Sequence, residues 1–163
     1  MFKHILLPTD GSELSAATVQ QGIRFAKMIG SRVTGLYVMP VHYRFRYTAM
    51  AMQEAFGQAT KRYKELEAAH VAAIEKGAEI DKGLAEAHLS AIEKSAKDAG
   101  VDCDVICEKN DSPYQAIIRV AQQRGCDLIM MASHGRKGVD ALLLGSETQK
   151  VLTHSKIPVL VSR

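Results

Sequence analysis

Apolar residues along this chain alternate between short unbroken runs and helical spacing, and that rhythm defines its elements. His4 to Leu7 reads as a short interior strand ended by Pro8, and Thr9-Asp10-Gly11-Ser12 turns into a helix that Ser12 or Ser15 could cap. Val19, Ile23, Phe25, Ala26 and Ile29 recur at helical spacing, and Gly30 closes the element. Val33 to Met39 supplies a second strand, stopped by Pro40. From about residue 53 to 98 the chain is rich in Ala, Glu and Lys, with Phe56, Tyr63, Leu66, Ile74, Ile80, Leu84 and Ile92 at broadly helical intervals. This predicts one long helix or two, with Gly77 and Gly83 as candidate breaks and Gly100 as the end.

Val101 to Glu108 predicts a third strand, and Asp111-Ser112-Pro113 opens a helix whose buried stripe is Ile117, Ile118, Val120 and Ala121. Asp127 to Ala132 is a near-continuous apolar strand, as expected where helices cover both faces of a parallel sheet. Ser146 to His154 and Ile157 to Val161 complete the pattern as helix and strand. Strands alternating with helices predict an α/β three-layer sandwich, Rossmann-like, around a five-stranded, mainly parallel sheet. One domain is expected over residues 1–163, with a longer helical and loop segment at about 41–99.

Composition narrows the function classes. The chain is 47% hydrophobic and 24% charged, ordinary for a globular protein, and Lys+Arg 21 against Asp+Glu 18 gives a net charge of +3 without a dense basic run. A nucleic-acid partner is therefore not expected. The stretch from Tyr43 through Arg44, Phe45 and Arg46 to Tyr47 alternates aromatic and arginine residues, which reads as a loop or partner-contact segment. Cys103, Cys107 and Cys126 lack the Cys-x2-Cys spacing of a zinc or redox site and read as reduced, buried thiols. No signal peptide or membrane span is legible, so a cytoplasmic protein without a membrane partner is expected.

The chemistry gathers at strand ends. The strand ending at Ala132 runs into Ser133-His134-Gly135-Arg136-Lys137-Gly138, and Gly145-Ser146 then opens a helix. A glycine-turned basic loop beside a helix N-terminus is an anion-binding layout, because its backbone N–H groups lack partners and the helix dipole adds positive potential. Neither a G-x4-GK[ST] P-loop nor a G-x-G-x-x-G after the first strand is present. P-loop hydrolysis and ordinary dinucleotide binding lose weight, and nucleotide binding of another kind leads.

Leu7-Pro8-Thr9-Asp10-Gly11-Ser12, Met131-Ala132-Ser133-His134-Gly135, Leu142-Leu143-Leu144-Gly145-Ser146 and Ile157-Pro158-Val159-Leu160-Val161, in this order, resemble the universal stress protein family. The resemblance implies the adenine nucleotide alpha hydrolase-like version of the fold. The family's ATP-binding branch carries G-x2-G-x9-G-[ST], which falls here on Gly135, Gly145 and Ser146, with Ala132 in place of the first glycine. A position needing φ > 0 would be hindered by Ala132, whereas one needing only a small residue would accept it. Glu147 is a second departure, since a carboxylate suits the helix dipole but repels phosphate unless it turns away or a metal bridges them.

The resemblance implies ATP as ligand, with Mg²⁺ able to accompany it. Gly135, Gly145 and Ser146 would give N–H groups and a hydroxyl to the phosphates, Arg136 or Lys137 would add charge, and Asp10 would sit near ribose and phosphate. Val38 would meet adenine, with Pro8, Thr9 and Met131 lining the cleft, and Ala132, Ser133, His134, Glu147 and Thr148 complete the expected nucleotide-binding set. Each residue also has a structural reading: Asp10 as a helix cap, Gly135 as a turn glycine, His134 as a loop or packing residue. No catalytic residue and no resident metal are assigned. The implied function is an ATP-binding stress-response sensor or adaptor, homodimeric through its C-terminal edge strand. The alternatives are a non-nucleotide dimeric stress protein and a slow ATP hydrolase or phosphotransferase.

Overall fold

The computed structural model describes residues 1–41, 61–135 and 144–163; for the helix beginning at Lys61, side chains 61–67, 70 and 74 stand outside that description. Expectations for residues 43–47, and for Arg136, Lys137 and Gly138, lie outside the described residues. The elements run β1 (His4–Thr9), α1 (Glu13–Ile29), β2 (Arg32–Met39), α2 (Lys61–Ala99), β3 (Cys103–Lys109), α3 (Pro113–Gln123), β4 (Leu128–Ala132), α4 (Ser146–His154) and β5 (Val159–Ser162). They form one sheet in the order β3-β2-β1-β4-β5, and every neighbouring pair is parallel. This is the expected three-layer α/β sandwich.

Two apolar layers hold it together. Ile5 and Leu7 of β1 pack with Val33, Tyr37 and Met39 of β2 under Val19, Ile23 and Ala26 of α1 and Leu89, Ile92 and Ala96 of α2. Leu6, Leu36, Ile129 and Met131 face the other way, against Ile117, Val120 and Ala121 of α3 and Val151 of α4. Opposite parity on each strand is what a period-two pleat requires. Each fully buried Leu or Ile contributes about 1.5–3 kcal/mol relative to an exposed position.

The edge strands differ from the centre. β4 is buried throughout, whereas β3 and β5 are half-exposed, and charges at Asp104, Glu108 and Lys109 blunt the β3 edge. Of the three expected buried thiols only Cys126 is buried; Cys103 is intermediate and Cys107 exposed, because their strand lies at the sheet edge. Burial pushes the Cys103 and Cys126 thiols up to about 11, which keeps them protonated and unreactive.

α2 runs unbroken for 39 residues, about 58 Å at 1.5 Å per residue, through both Gly77 and Gly83. Neither glycine has a neighbour within 4 Å of where a Cβ would stand, so neither marks a turn or a close contact. Ala85, Leu89, Ile92 and Ala96 bury one stripe of its C-terminal half, and that docking outweighs the roughly 1 kcal/mol that each glycine costs a helix. In α3 the buried stripe is Ala116, Ile117, Val120 and Ala121; Ile118 is only partly covered, and Ser112 makes no side-chain cap.

A polar chain crosses the sheet away from the strand carboxyl ends. His4, only 6% exposed, lies with Nε2 2.7 Å from Thr34 Oγ1, and Thr34 donates to Asp104 Oδ1 at 2.5 Å. Arg32 and Arg124 flank that carboxylate at 3.6 and 3.0 Å. Because Thr34 spends its proton on Asp104, His4 donates to it through Nε2–H. Burial, then the nearby Arg32 charge, lowers the His4 pKa below the ordinary 6.5. The folded state thus binds this proton less readily than the unfolded chain, and stability falls as pH drops from about 6.5 towards the lower folded value. Denaturant titrations between pH 7.5 and 5 are expected to show this loss, and His4→Gln to flatten it; an equal slope in both proteins would refute the assignment to His4.

Candidate functional site

β1 delivers Thr9 and Asp10 to the carboxyl edge of the sheet, where a short turn leads into α1. Thr9 Oγ1 accepts the Gly11 N–H at 3.1 Å, and Asp10 Oδ1 accepts the Ser12 N–H at 3.0 Å. Ser12 is the cap, its hydroxyl accepting from the Ser15 N–H at 3.3 Å. Ser15 donates its hydroxyl to the Ser12 carbonyl at 2.9 Å, which leaves Thr9 to donate to Ser15 across 2.9 Å. The cap reading of Asp10 therefore does not hold: Ser12 caps α1, and the bond from the Ser12 N–H fixes the Asp10 carboxylate at the cleft mouth.

On the other side of the switch, β4 ends at Ala132. The Ser133 N–H donates to Ser162 and its carbonyl accepts the Gly145 N–H at 2.8 Å, while Thr148 Oγ1 donates to the Ala132 carbonyl at 2.9 Å. These bonds seat the N-terminus of α4 directly over the end of β4. A Cβ on Gly135 would run into Asp10 Oδ2, so Gly135 keeps the two loops within contact of each other. A Cβ on Gly145 would stand 3.0 Å from the His134 Cα.

Strand order places this point between β1 and β4, where the winding of the sheet reverses and doubly wound folds open a crevice. A cavity of about 860 Å³ opens there. Pro8, Thr9, Met131 and Ala132 come to it from strand ends, with Asp10, His134 and Gly135 from the loops above them. Val38 enters from β2, and Gly145, Ser146, Glu147 and Thr148 from the start of α4. Of the expected residues, Ser133 does not line the cavity; it is 2% exposed and acts as the bridge described above. Arg136 lies outside the described residues.

Three details revise the expected roles. The Gly145 N–H, expected to face a phosphate, is spent on the Ser133 carbonyl, so the donors left by helix geometry are the N–H groups of Ser146, Glu147 and Thr148. Ala132 needs no left-handed backbone, since among the described residues only glycines have positive φ. Glu147 turns to α3: Oε2 accepts the Tyr114 N–H at 2.9 Å and Oε1 holds Lys150 Nζ at 2.6 Å. It supplies the cap that Ser112 does not, and its hydrogen bond and charge raise the Lys150 pKa.

Ser15, Tyr37, Pro40, Asp81, Pro113, Ile117 and Leu144 also line the cavity and were not read as site residues in the sequence. Pro113 could have been found by applying the strand-end rule to β3 as it was applied to β1, β2 and β4, and Pro40 by carrying it one residue past the end of β2. Asp81 carries no local signal, because it arrives on the inner stripe of α2 two turns before His88.

The sheet, its reversal point and a helix tip closing the crevice define a doubly wound α/β protein with a cleft at its strand ends. A profile described as the universal stress protein family matches residues 1–163, and the chain belongs to that family. It is 27% identical over 169 residues to universal stress protein MJ0531 of Methanocaldococcus jannaschii, covering 99% of this chain and 82% of that one. It superposes on the solved structure of MJ0577 from the same organism with a TM-score of 0.66 and 27% identity, over 99% and 95% of the two chains. It also matches the fold of a universal stress protein from Archaeoglobus fulgidus in complex with dAMP, with a TM-score of 0.62 and 13% identity over 100% and 98%.

Proposed function

We propose that this cleft binds an adenine nucleotide, with ATP as the expected ligand and Mg²⁺ able to accompany it, and that occupancy makes the protein a stress-linked sensor or adaptor. The observation that carries this reading is the meeting of Asp10, Gly135 and the α4 N-terminus on one cavity at the sheet reversal. Phosphate would lie against the N–H groups of Ser146 to Thr148, where the helix dipole is positive. The base would lie on the apolar side, near Val38 and Met131. The Archaeoglobus relative crystallised with dAMP supports an adenine ligand.

Binding is ranked above turnover in this reading, because phosphoryl transfer needs a positioned acceptor, a base and charge stabilisation, and the sequence carries no P-loop to assemble them. His134 Nδ1 shares a 3.1 Å hydrogen bond with the neighbouring Ser133 hydroxyl, a contact within the loop itself. The exposed edge of β5, with Leu160 42% exposed, fits a homodimer paired along that strand. Calorimetric titration with ATP and Mg²⁺ should show saturable binding at one site per chain. No heat of binding at millimolar nucleotide would overturn the proposal.

A further inference from the structure

We propose that His88 is a positioning residue of this cleft, holding the Tyr37 wall and the Gly11 turn together so that the docking of α2 and the affinity for ligand are coupled. The proposal rests on the reading of the cleft as a nucleotide site and adds a controlling element to it. Tyr37 is 5% exposed and lines the cavity from β2. Its ring stacks on the His88 imidazole with centroids 5.7 Å apart and planes 12° apart, within the range of offset aromatic stacking. The same imidazole covers Gly11: a Cβ there would stand 2.7 Å from Cε1 and 2.8 Å from Cδ2. Gly11 has φ +80°, so glycine serves both the left-handed turn and the space the imidazole fills.

The consequence reaches the ligand groups. The Gly11 and Ser12 N–H groups are the two donors that hold Thr9 Oγ1 and Asp10 Oδ1, and both side chains belong to residues lining the cavity. One ring on α2 therefore bears on a cavity-wall aromatic and on the turn that aims the cleft carboxylate. α2 itself reaches the cavity through Asp81, on the same side of the helix as Ala85 and His88. Below His88 the helix is fixed by Leu89, Ile92 and Ala96, all buried. By linkage, whatever His88 contributes to the cleft the ligand returns to α2.

The test compares His88→Ala, His88→Phe and Leu89→Ala in the full chain. ATP affinity is expected to fall about tenfold in His88→Ala and to stay within about twofold of wild type in His88→Phe, which keeps a flat ring over Gly11 and against Tyr37. Leu89→Ala loosens the same helix without touching either contact; it should lower Tm further than His88→Ala yet leave affinity within about twofold. Amide exchange read without nucleotide provides the independent arm. Gly11 and Ser12 should exchange faster in His88→Ala and at the wild-type rate in His88→Phe.

Wild-type exchange at Gly11 and Ser12 in His88→Ala would overturn the positioning role, whether or not ATP binds. Equal loss of affinity in Leu89→Ala and His88→Ala would also overturn it, because general loosening of α2 would then suffice. Failure of the wild-type protein to bind ATP would overturn the nucleotide reading and the coupling to affinity, with exchange still deciding the contact to the turn.

Discussion

Gly145→Val is expected to weaken ATP binding by one to two orders of magnitude, roughly 1.4–2.8 kcal/mol, while leaving the fold intact. The Cβ alone would stand 3.0 Å from the His134 Cα and 3.4 Å from the Ser133 carbonyl oxygen, both backbone positions that a rotamer change cannot relieve. The two methyl groups of valine must then push the start of α4 away from the end of β4. That shift breaks the 2.8 Å bond from Gly145 N–H to Ser133 and turns the N–H groups of Ser146 to Thr148 away from the cavity. Stability should suffer less, by about 1 kcal/mol or about 2–4 °C in Tm, because Val151, fully buried, still anchors the helix. Gly135→Val should give a similar loss by another route, displacing the Asp10 carboxylate that now accepts the Ser12 N–H. Affinity and Tm measured on both variants decide the matter. Unchanged affinity in both would mean that the phosphates lie elsewhere.

Those glycines also show which parts of the molecule were readable beforehand. Strand and helix order could be read because each buried element carries its period locally: the five apolar residues of β4 and the 19-23-26 stripe of α1 need no partner to be recognised. Gly135 and Gly145 could be picked out by spacing, but their physical purpose could not. Neither has positive φ, and each is small because of what stands opposite it, Asp10 in one case and the His134 backbone in the other. The Glu147 carboxylate was read as repelling phosphate unless it turned away or a metal bridged them; that it turns to Tyr114 depends on the placement of α3 beside α4, which no local pattern encodes. Asp81 and His88 were missed for the same reason. Their relation to the cleft exists only after 39 residues of helix have docked across the sheet. Gly77 and Gly83 left one helix or two open, and the single helix that formed runs through both, since glycine is a local breaker only when the chain has somewhere else to go.

Leu7→Ala and Gly22→Val should each destabilise the protein strongly, and together less than their sum. Leu7 is fully buried at the middle of the sheet, facing α1, and truncation there should cost about 2–5 kcal/mol, partly from the cavity left behind. At Gly22 the Cβ position lies 2.5 Å from Leu7 Cδ2 and 2.9 Å from Cδ1, so α1 approaches β1 only because that helix position has no side chain. Valine there forces Leu7 off its rotamer or lifts the helix, an overpacking cost of about 1–3 kcal/mol that its better helix propensity does not offset. In the double variant the valine methyls enter the space the leucine vacates, and each change relieves the other. A coupling of about 1–3 kcal/mol is expected in the double-mutant cycle, within the range found for residues in direct contact. At 163 residues each 1 kcal/mol moves Tm by about 2–4 °C, so urea titration and thermal melting both resolve the cycle. Simple additivity would show that α1 can shift freely over β1, and the turn from Thr9 to Ser12 would then lose the rigid base on which the Asp10 carboxylate depends.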